Sequence, residues 1–347
     1  MEKTKIGILS FAHGHAVGIL HALADRDDVA LMVADEDPAR ARQHATPLGV
    51  TVADSYQDLL AWRPDGVVVC SENAKHRELT ELAAAAGAAV LCEKPLATSV
   101  ADCEAMIRAC ETAGVGLMTA FPVRFEQPMQ SLHTLVRSGQ LGRILGAAGT
   151  NPGSNPGGWF NDATLAGGGA VMDHTVHVVD LFRWLLGTEP VEVYAQANRL
   201  LYPDVPVETA GTVAVKFSDG MLATVDCSWS RPRSYPTWGT VTLQLVGENG
   251  VVNVDISGRR IEAYHDAERA VTASAGMSDG GASAAPSSSR ARWVPWGHNS
   301  VVPLLQEFLS AIREGRRPEP DGTDGMRATQ VALAAYRSIS SGQPVAI

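Results

Sequence analysis

Two segments carry residues that could act together on a hydroxyl group. Cys92-Glu93-Lys94-Pro95 closes an apolar run, and a lysine at the carboxyl end of a strand can polarise a substrate oxygen. Asp173 and His177, in Gly167-Gly168-Gly169-Ala170-Val171-Met172-Asp173-His174-Thr175-Val176-His177, stand four residues apart and so share one face of a helix. A neutral imidazole, whose unperturbed pKa is roughly 6.5, suits the acceptor of a hydroxyl proton at neutral pH. A cationic Lys94 suits developing alkoxide charge, and Asp173 can fix the imidazole tautomer or bond a neighbouring hydroxyl. His174 reads either as a second cleft residue or as a structural histidine. No metal is expected on Asp173, His174 and His177, because only two of the three share a helix face well.

A third segment, Ser10-Phe11-Ala12-His13-Gly14-His15, follows the first apolar run, where a dinucleotide pyrophosphate needs a tight turn of small residues. Ser10 and Ala12 replace two glycines and Phe11 and His13 are bulky, so the match to Gly-x-Gly-x-x-Gly is poor. His13 and His15 form a His-x-His pair that holds a metal only if further ligands converge. With no carboxylate or Cys close in sequence, bonding to phosphate oxygens or local backbone is expected instead. Asp35 ends the second apolar run, where a carboxylate can accept both ribose hydroxyls, and Glu36 and Asp37 would repel a 2'-phosphate. NAD is therefore expected over NADP. All three acids also suit a solvated helix start, which needs no ligand.

These residues require elements to position them, and the first third of the chain alternates short continuous apolar runs with helical spacing: Ile6–Phe11, His15–Ala24, Val29–Ala34, Val50–Ala53, Ser55–Ala61, Gly66–Cys70, Lys75–Ala86, Ala88–Cys92, Ser99–Ala113 and Gly116–Thr119. Strands without polar alternation, each followed by a helix, predict a parallel sheet covered on both faces, a doubly wound Rossmann-like domain over 1–121. From 122 to 347 a second, α+β domain with a large, mainly antiparallel open sheet is predicted. Its strands are Ile144–Thr150, Val191–Leu200, Ala210–Phe217, Leu222–Ser230, Thr240–Val246, Val251–Ile256 and Arg260–Tyr264, with Asp219-Gly220 and Glu248-Asn249-Gly250 as hairpin turns. Helices are expected over Pro128–Ser138, Gly169–Leu186, Val301–Glu314 and Asp324–Ser341, and Thr272–Arg292 reads as a mobile loop.

The 347 residues include 28 Lys and Arg against 38 Asp and Glu, a net charge of -10 with no basic run. That disfavours nucleic acid and anionic membranes as partners. The longest apolar run, Leu82–Cys92, is too short for the ~20 residues of a bilayer span. Five cysteines, odd in number and without a Cys-x-x-Cys pair, and a start without a secretory signal make a reducing cytoplasm the expected setting.

Taken with the strand order, these segments resemble the Gfo/Idh/MocA family of oxidoreductases. The carriers are Val67-Val68-Val69-Cys70-Ser71-Glu72-Asn73 with His76 downstream, Glu93-Lys94-Pro95, Arg124-Phe125, Leu141-Gly142, and the glycine triplet leading to Asp173 and His177. The resemblance implies a nicotinamide-binding domain, a second domain whose open sheet floors the substrate cleft and joins subunits into a dimer or tetramer, and sugar, cyclitol or related polyol substrates. By position it implies that Lys94 touches both the substrate hydroxyl and the nicotinamide ribose, that His177 accepts the proton, and that Asp173 stands beside it. Ser71, Glu72, Asn73, His76 and Glu93 would line the cofactor, although the family usually has Pro where Glu72 stands. Arg124, Trp159 and His174 complete the expected substrate contacts, with Trp159 either stacking on a sugar ring or packing in the core. Trp229 and Arg231 are expected in packing and oligomer contacts. Two rivals stand beside the dehydrogenase: a sensor of NAD or sugar that has lost turnover, suggested by the glycine-poor turn, and a metal-dependent lyase or hydrolase.

Overall fold

The computed structural model describes residues 2–232, 235, 239–256, 260–265, 290–293 and 300–347. Its first sheet forms from the continuous apolar runs, which leave no face for water. Strands β1 (Thr4–Leu9), β2 (Val29–Ala34), β3 (Thr51–Val52), β4 (Gly66–Val69), β5 (Ala89–Cys92) and β6 (Leu117–Thr119) lie in the order β3-β2-β1-β4-β5-β6, all parallel. Helices α1 (His15–Ala24), α2 (Pro38–Ala45), α3 (Tyr56–Ala61), α4 (His76–Ala85) and α5 (Val100–Ala113) make the crossovers. Asp37, Ser55 and Ser99 cap α2, α3 and α5 by accepting first-turn amides. Strand order reverses between β1 and β4, so the crevice beyond their carboxyl ends is the point where such sheets take ligands. The Ser10–His15 turn and the Ser71–Asn73 loop flank it.

The chain then runs through a short turn at Pro122–Phe125 and α6 (Gln127–Arg137) into β7 (Ile144–Thr150), α7 (Ala163–Ala166) and α8 (Ala170–Leu186). There follow β8 (Pro190–Asn198), β9 (Ala210–Phe217), β10 (Leu222–Asp226), β11 (Thr242–Gly247), β12 (Gly250–Asp255), β13 (Arg260–His265), β14 (Arg290–Trp293), α9 (Val301–Glu314), α10 (Gly322–Ser341) and β15 (Val345–Ala346). These strands form a nine-stranded sheet ordered β14-β13-β12-β11-β7-β10-β9-β8-β15, antiparallel except for β7 beside β10. Burial alternates along β9, β10 and β11, so one face packs on α8 and α10 and the other is exposed. A Cβ on Gly149 of β7 would lie 2.3 Å from Val178 of α8. That close approach seats the helix carrying Asp173 and His177 on the sheet.

Three expectations change. Helix α9, expected within 122–347 as part of the second domain, packs on the first sheet, where Leu304, Leu305, Phe308 and Leu309 share a core with Ile6, Ile8, Leu20 and Val68. Its apolar stripe covers a sheet face that local sequence could not assign. The strand predicted to reach Ser230 ends at Asp226, whose carboxylate accepts the Ser228 amide, although the Cys227 and Trp229 amides still bond the Gly211 and Thr209 carbonyls alongside. The loop expected over Thr272–Arg292 lies outside the described residues through 289, and its last three residues belong to β14.

Among the described residues no helix is long and apolar enough to cross a membrane. All five cysteines are buried and unbridged, and burial pushes the thiols of Cys103, Cys110 and Cys227 up to about 12, as befits packing groups.

Candidate active site

The chain leaves β5 at Glu93 and Lys94, both buried. Lys94 Nζ, just past β5, donates to Asp173 Oδ1 of α8 at 2.6 Å. Asp173 lies in the first turn of α8, where the helix dipole favours a carboxylate. Gly169 gives that helix no side-chain cap; instead Glu208 Oε1 accepts the amides of Gly169 and Val171 at 2.9 and 3.0 Å and the Tyr336 hydroxyl at 2.6 Å. Tyr336 also explains the middle of the glycine triplet, since a Cβ on Gly168 would fall 1.9 Å from its hydroxyl.

The second oxygen of Asp173 accepts the Trp229 indole N–H at 3.0 Å and lies 3.1 Å from His174 Nε2. Burial would raise the Asp173 carboxyl, but Lys94 and His174 outweigh it and hold the group well below the usual carboxylate range. His177 is one turn further on, at the rim of the core, with its ring edge against Phe121. Burial first, then the charges of Lys94 and His174, push its pKa well below 6.5, so the imidazole is neutral. The structure thus brings Lys94, Asp173, His174 and His177 together.

Trp229 packs in the core as expected, against Ala170 and Val207, and also reaches the site. It is fully buried and holds the carboxylate that holds Lys94. Neither it nor Glu208 sits in a motif, and no local signal marks either one. Trp229→Phe keeps an aromatic ring, though a smaller one, and removes a bond to a charged group, worth about 1.5–3 kcal/mol. A fall in kcat/KM of roughly tenfold or more is expected by steady-state kinetics, with dinucleotide affinity unchanged.

At the phosphate turn the backbone amides face inward. Phe11 N–H bonds Asp35 Oδ2, Ala12 N–H bonds Ser10 Oγ, His13 N–H bonds the Cys70 carbonyl, and His15 N–H bonds His13 Nδ1 at 3.2 Å. Ser10, Phe11 and Ala12 therefore do not offer a phosphate the amides that a glycine-rich turn would. Asp35 is likewise committed: it is buried, and besides Phe11 it accepts the Asp37 amide and both arms of the Arg40 guanidinium. It braces the turn against α2, and a partner five residues along the chain leaves it no free lone pair for ribose. Glu36 pairs with Lys75, which also lies 3.3 Å from Glu72.

What the crevice offers a ligand is side-chain atoms. His13 accepts at Nδ1, so its proton is on Nε2, and that buried atom has no partner among the described residues. Asn73 donates to the Ala166 carbonyl and leaves Oδ1 buried and unpartnered. The orphaned Asn73 oxygen at the switch point fits a polar dinucleotide. Glu93 is buried, with Oε1 3.0 Å from His15 Nδ1; burial raises its carboxyl, but His15 and His13 more than reverse that.

Three other expected contacts lie elsewhere. His76 bonds the carbonyls of Ser71, Pro95 and Leu96, fully buried, and ties the Ser71 loop to the Lys94 segment without facing a ligand. Trp159 stacks on Phe160 and donates its indole N–H to the Ala12 carbonyl at 2.9 Å, which lays it over the phosphate turn. Arg124 bonds both oxygens of Asp180 at 2.7 and 2.5 Å and approaches Asp324 of α10, so its donors serve a buried ion-pair network rather than a substrate. Burial pushes Asp180 up to about 6 against the pull of Arg124. Arg124→Ala leaves Asp180 without its bidentate partner and is expected to destabilise the fold by about 3–5 kcal/mol in denaturant titration.

Known proteins share the fold and the sequence pattern of this chain. The family model described as the oxidoreductase family, NAD-binding Rossmann fold, matches residues 7–121, and that of the GFO/IDH/MocA C-terminal domain matches residues 129–253. The chain is 28% identical to a D-apiose dehydrogenase of Paraburkholderia graminis, over 98% of this chain and 88% of that protein. It is 30% identical to D-xylose 1-dehydrogenase (NADP(+)) 2 of Haloferax volcanii, over 98% of each. It also superposes on the crystal structure of GenD2 from gentamicin A biosynthesis in complex with NAD, with a TM-score of 0.84, 25% identity, and coverage of 100% of this chain and 97% of that one.

Proposed function

The chain belongs to the Gfo/Idh/MocA family of oxidoreductases, and from that premise we propose that it moves hydride between NAD and a secondary hydroxyl of a sugar, cyclitol or related polyol, or the matching ketone. One observation carries the reading: a lysine, a carboxylate and a neutral imidazole converge from β5 and α8 at the switch point of the first sheet. Residues 1–121 with α9 form the nucleotide-binding domain in this reading, and the remainder binds substrate.

The nicotinamide, when bound, supplies the hydride acceptor. Asn73 Oδ1 would hold the dinucleotide, with Trp159 over the turn excluding water. Lys94 is kept in place by Asp173 and donates to the substrate oxygen, favouring the alkoxide. His177 accepts the hydroxyl proton, and the nearby Lys94 disfavours its retention, so it passes on to solvent. Selection of NAD over NADP is supported by Glu36, Asp37 and Glu72 at the adenosine end, where Arg40 and Lys75 are already paired with carboxylates. The exposed face of the second sheet carries Leu145, Tyr194 and Leu222, which supports a second copy docking there.

Calorimetric titration with NAD and NADP, then a screen of polyols and sugars for NAD reduction, tests the proposal. NAD binding and reduction with at least one polyol are expected. Binding of neither dinucleotide overturns it in favour of a sensor.

A further inference from the structure

We propose that His13, His15 and Glu93 form a binding site for one divalent transition-metal ion. Each offers one ligand atom, and the three atoms lie within 4.8 Å of one another. An ion that holds nitrogen and oxygen ligands at about 2.0–2.2 Å needs only a small contraction of that set. The sequence held the His-x-His pair without a carboxylate nearby; the fold supplies one by bringing the end of β5 beside the start of α1.

A second observation points to a ligand independently. His13 is 4% exposed, and its Nε2 has no hydrogen-bond partner among the described residues, an orphaned polar atom that a native interior rarely tolerates. Glu93 is equally buried and directs Oε1 at His15. The side chain of His15 is 42% exposed, so solvent or substrate can reach the open positions of an ion from that side.

Two imidazoles and one carboxylate suit zinc, manganese, iron, cobalt or nickel rather than magnesium or calcium. Binding through His13 Nε2 moves the ring proton to Nδ1 and releases the 3.2 Å bond from the His15 amide, the longest of those that tie the turn. His15 Nδ1 exchanges its bond to Glu93 for the ion. The open positions would take water or a polyol hydroxyl beside Lys94, and the site stands whether or not NAD is the redox partner.

The test is titration of chelator-treated full-length protein with Co2+, followed by its d–d absorption and by calorimetry, with NAD titrated separately. One equivalent is expected to bind and give a d–d band of four or five coordination. His15→Ala, at a half-exposed position, and Glu93→Gln are each expected to weaken Co2+ by more than about 100-fold. Absence of the band in the wild type, or unchanged Co2+ affinity in both variants, overturns the site.

Discussion

Lys94→Ala is expected to lower kcat by about 10²–10³, the effect of removing one donor to a developing oxyanion, while NAD still binds in calorimetry. The loss falls on kcat because the ammonium bonds a substrate oxygen most strongly when that oxygen carries charge. The geometry sharpens the expectation. Lys94 Nζ is held 2.6 Å from Asp173 Oδ1 in a buried setting, so its position is fixed before substrate arrives. Among the described residues alanine leaves Asp173 with Trp229 and His174, and loss of the Lys94 charge lets its carboxyl rise. Lys94→Arg is expected to rescue little, since a planar fork cannot occupy the place of a point donor. Near-wild-type turnover by Lys94→Ala on an identified polyol would remove the lysine from the chemistry.

Much of this frame was legible from periodicity. The bounds of α1, β2, β7, β9 and α9 coincide with the apolar patterns, because each pattern records which face meets a core. The pairing of Lys94 with Asp173 and His177 was legible only as a family resemblance, since spacing fixes a helix face but not what lies across from it. Contacts between residues distant in sequence stayed hidden. Trp229 beneath Asp173, Glu208 at the α8 N-terminus, and Glu93 beside His15 each join segments that share no local signal. Asp35 and Arg124 show the opposite failure: their positions matched expectation, but Arg40 and Asp180 compete for them, and a charge pattern does not reveal which acceptor wins.

His177→Asn is expected to lower kcat/KM for alcohol oxidation by roughly 10²–10⁴, the range for loss of a general base, and to abolish the acid limb of its pH profile. The sign follows from the environment. Only the neutral imidazole can accept the hydroxyl proton, and burial with Lys94 and His174 holds the His177 pKa well below 6.5. The wild-type enzyme should therefore keep a flat kcat/KM as pH falls through 6.5 and lose activity only at clearly lower pH, whereas an unperturbed histidine would already have halved it at 6.5. In the direction of ketone reduction the protonated form must donate, so the same shift makes reduction fall as pH rises through the acid range. Two profiles of opposite slope with one shared apparent pKa identify His177 as the group. Asparagine preserves polarity and roughly the volume at a position 9% exposed, so the variant should fold and bind NAD. An acid limb that persists unchanged in His177→Asn would assign the proton to another group.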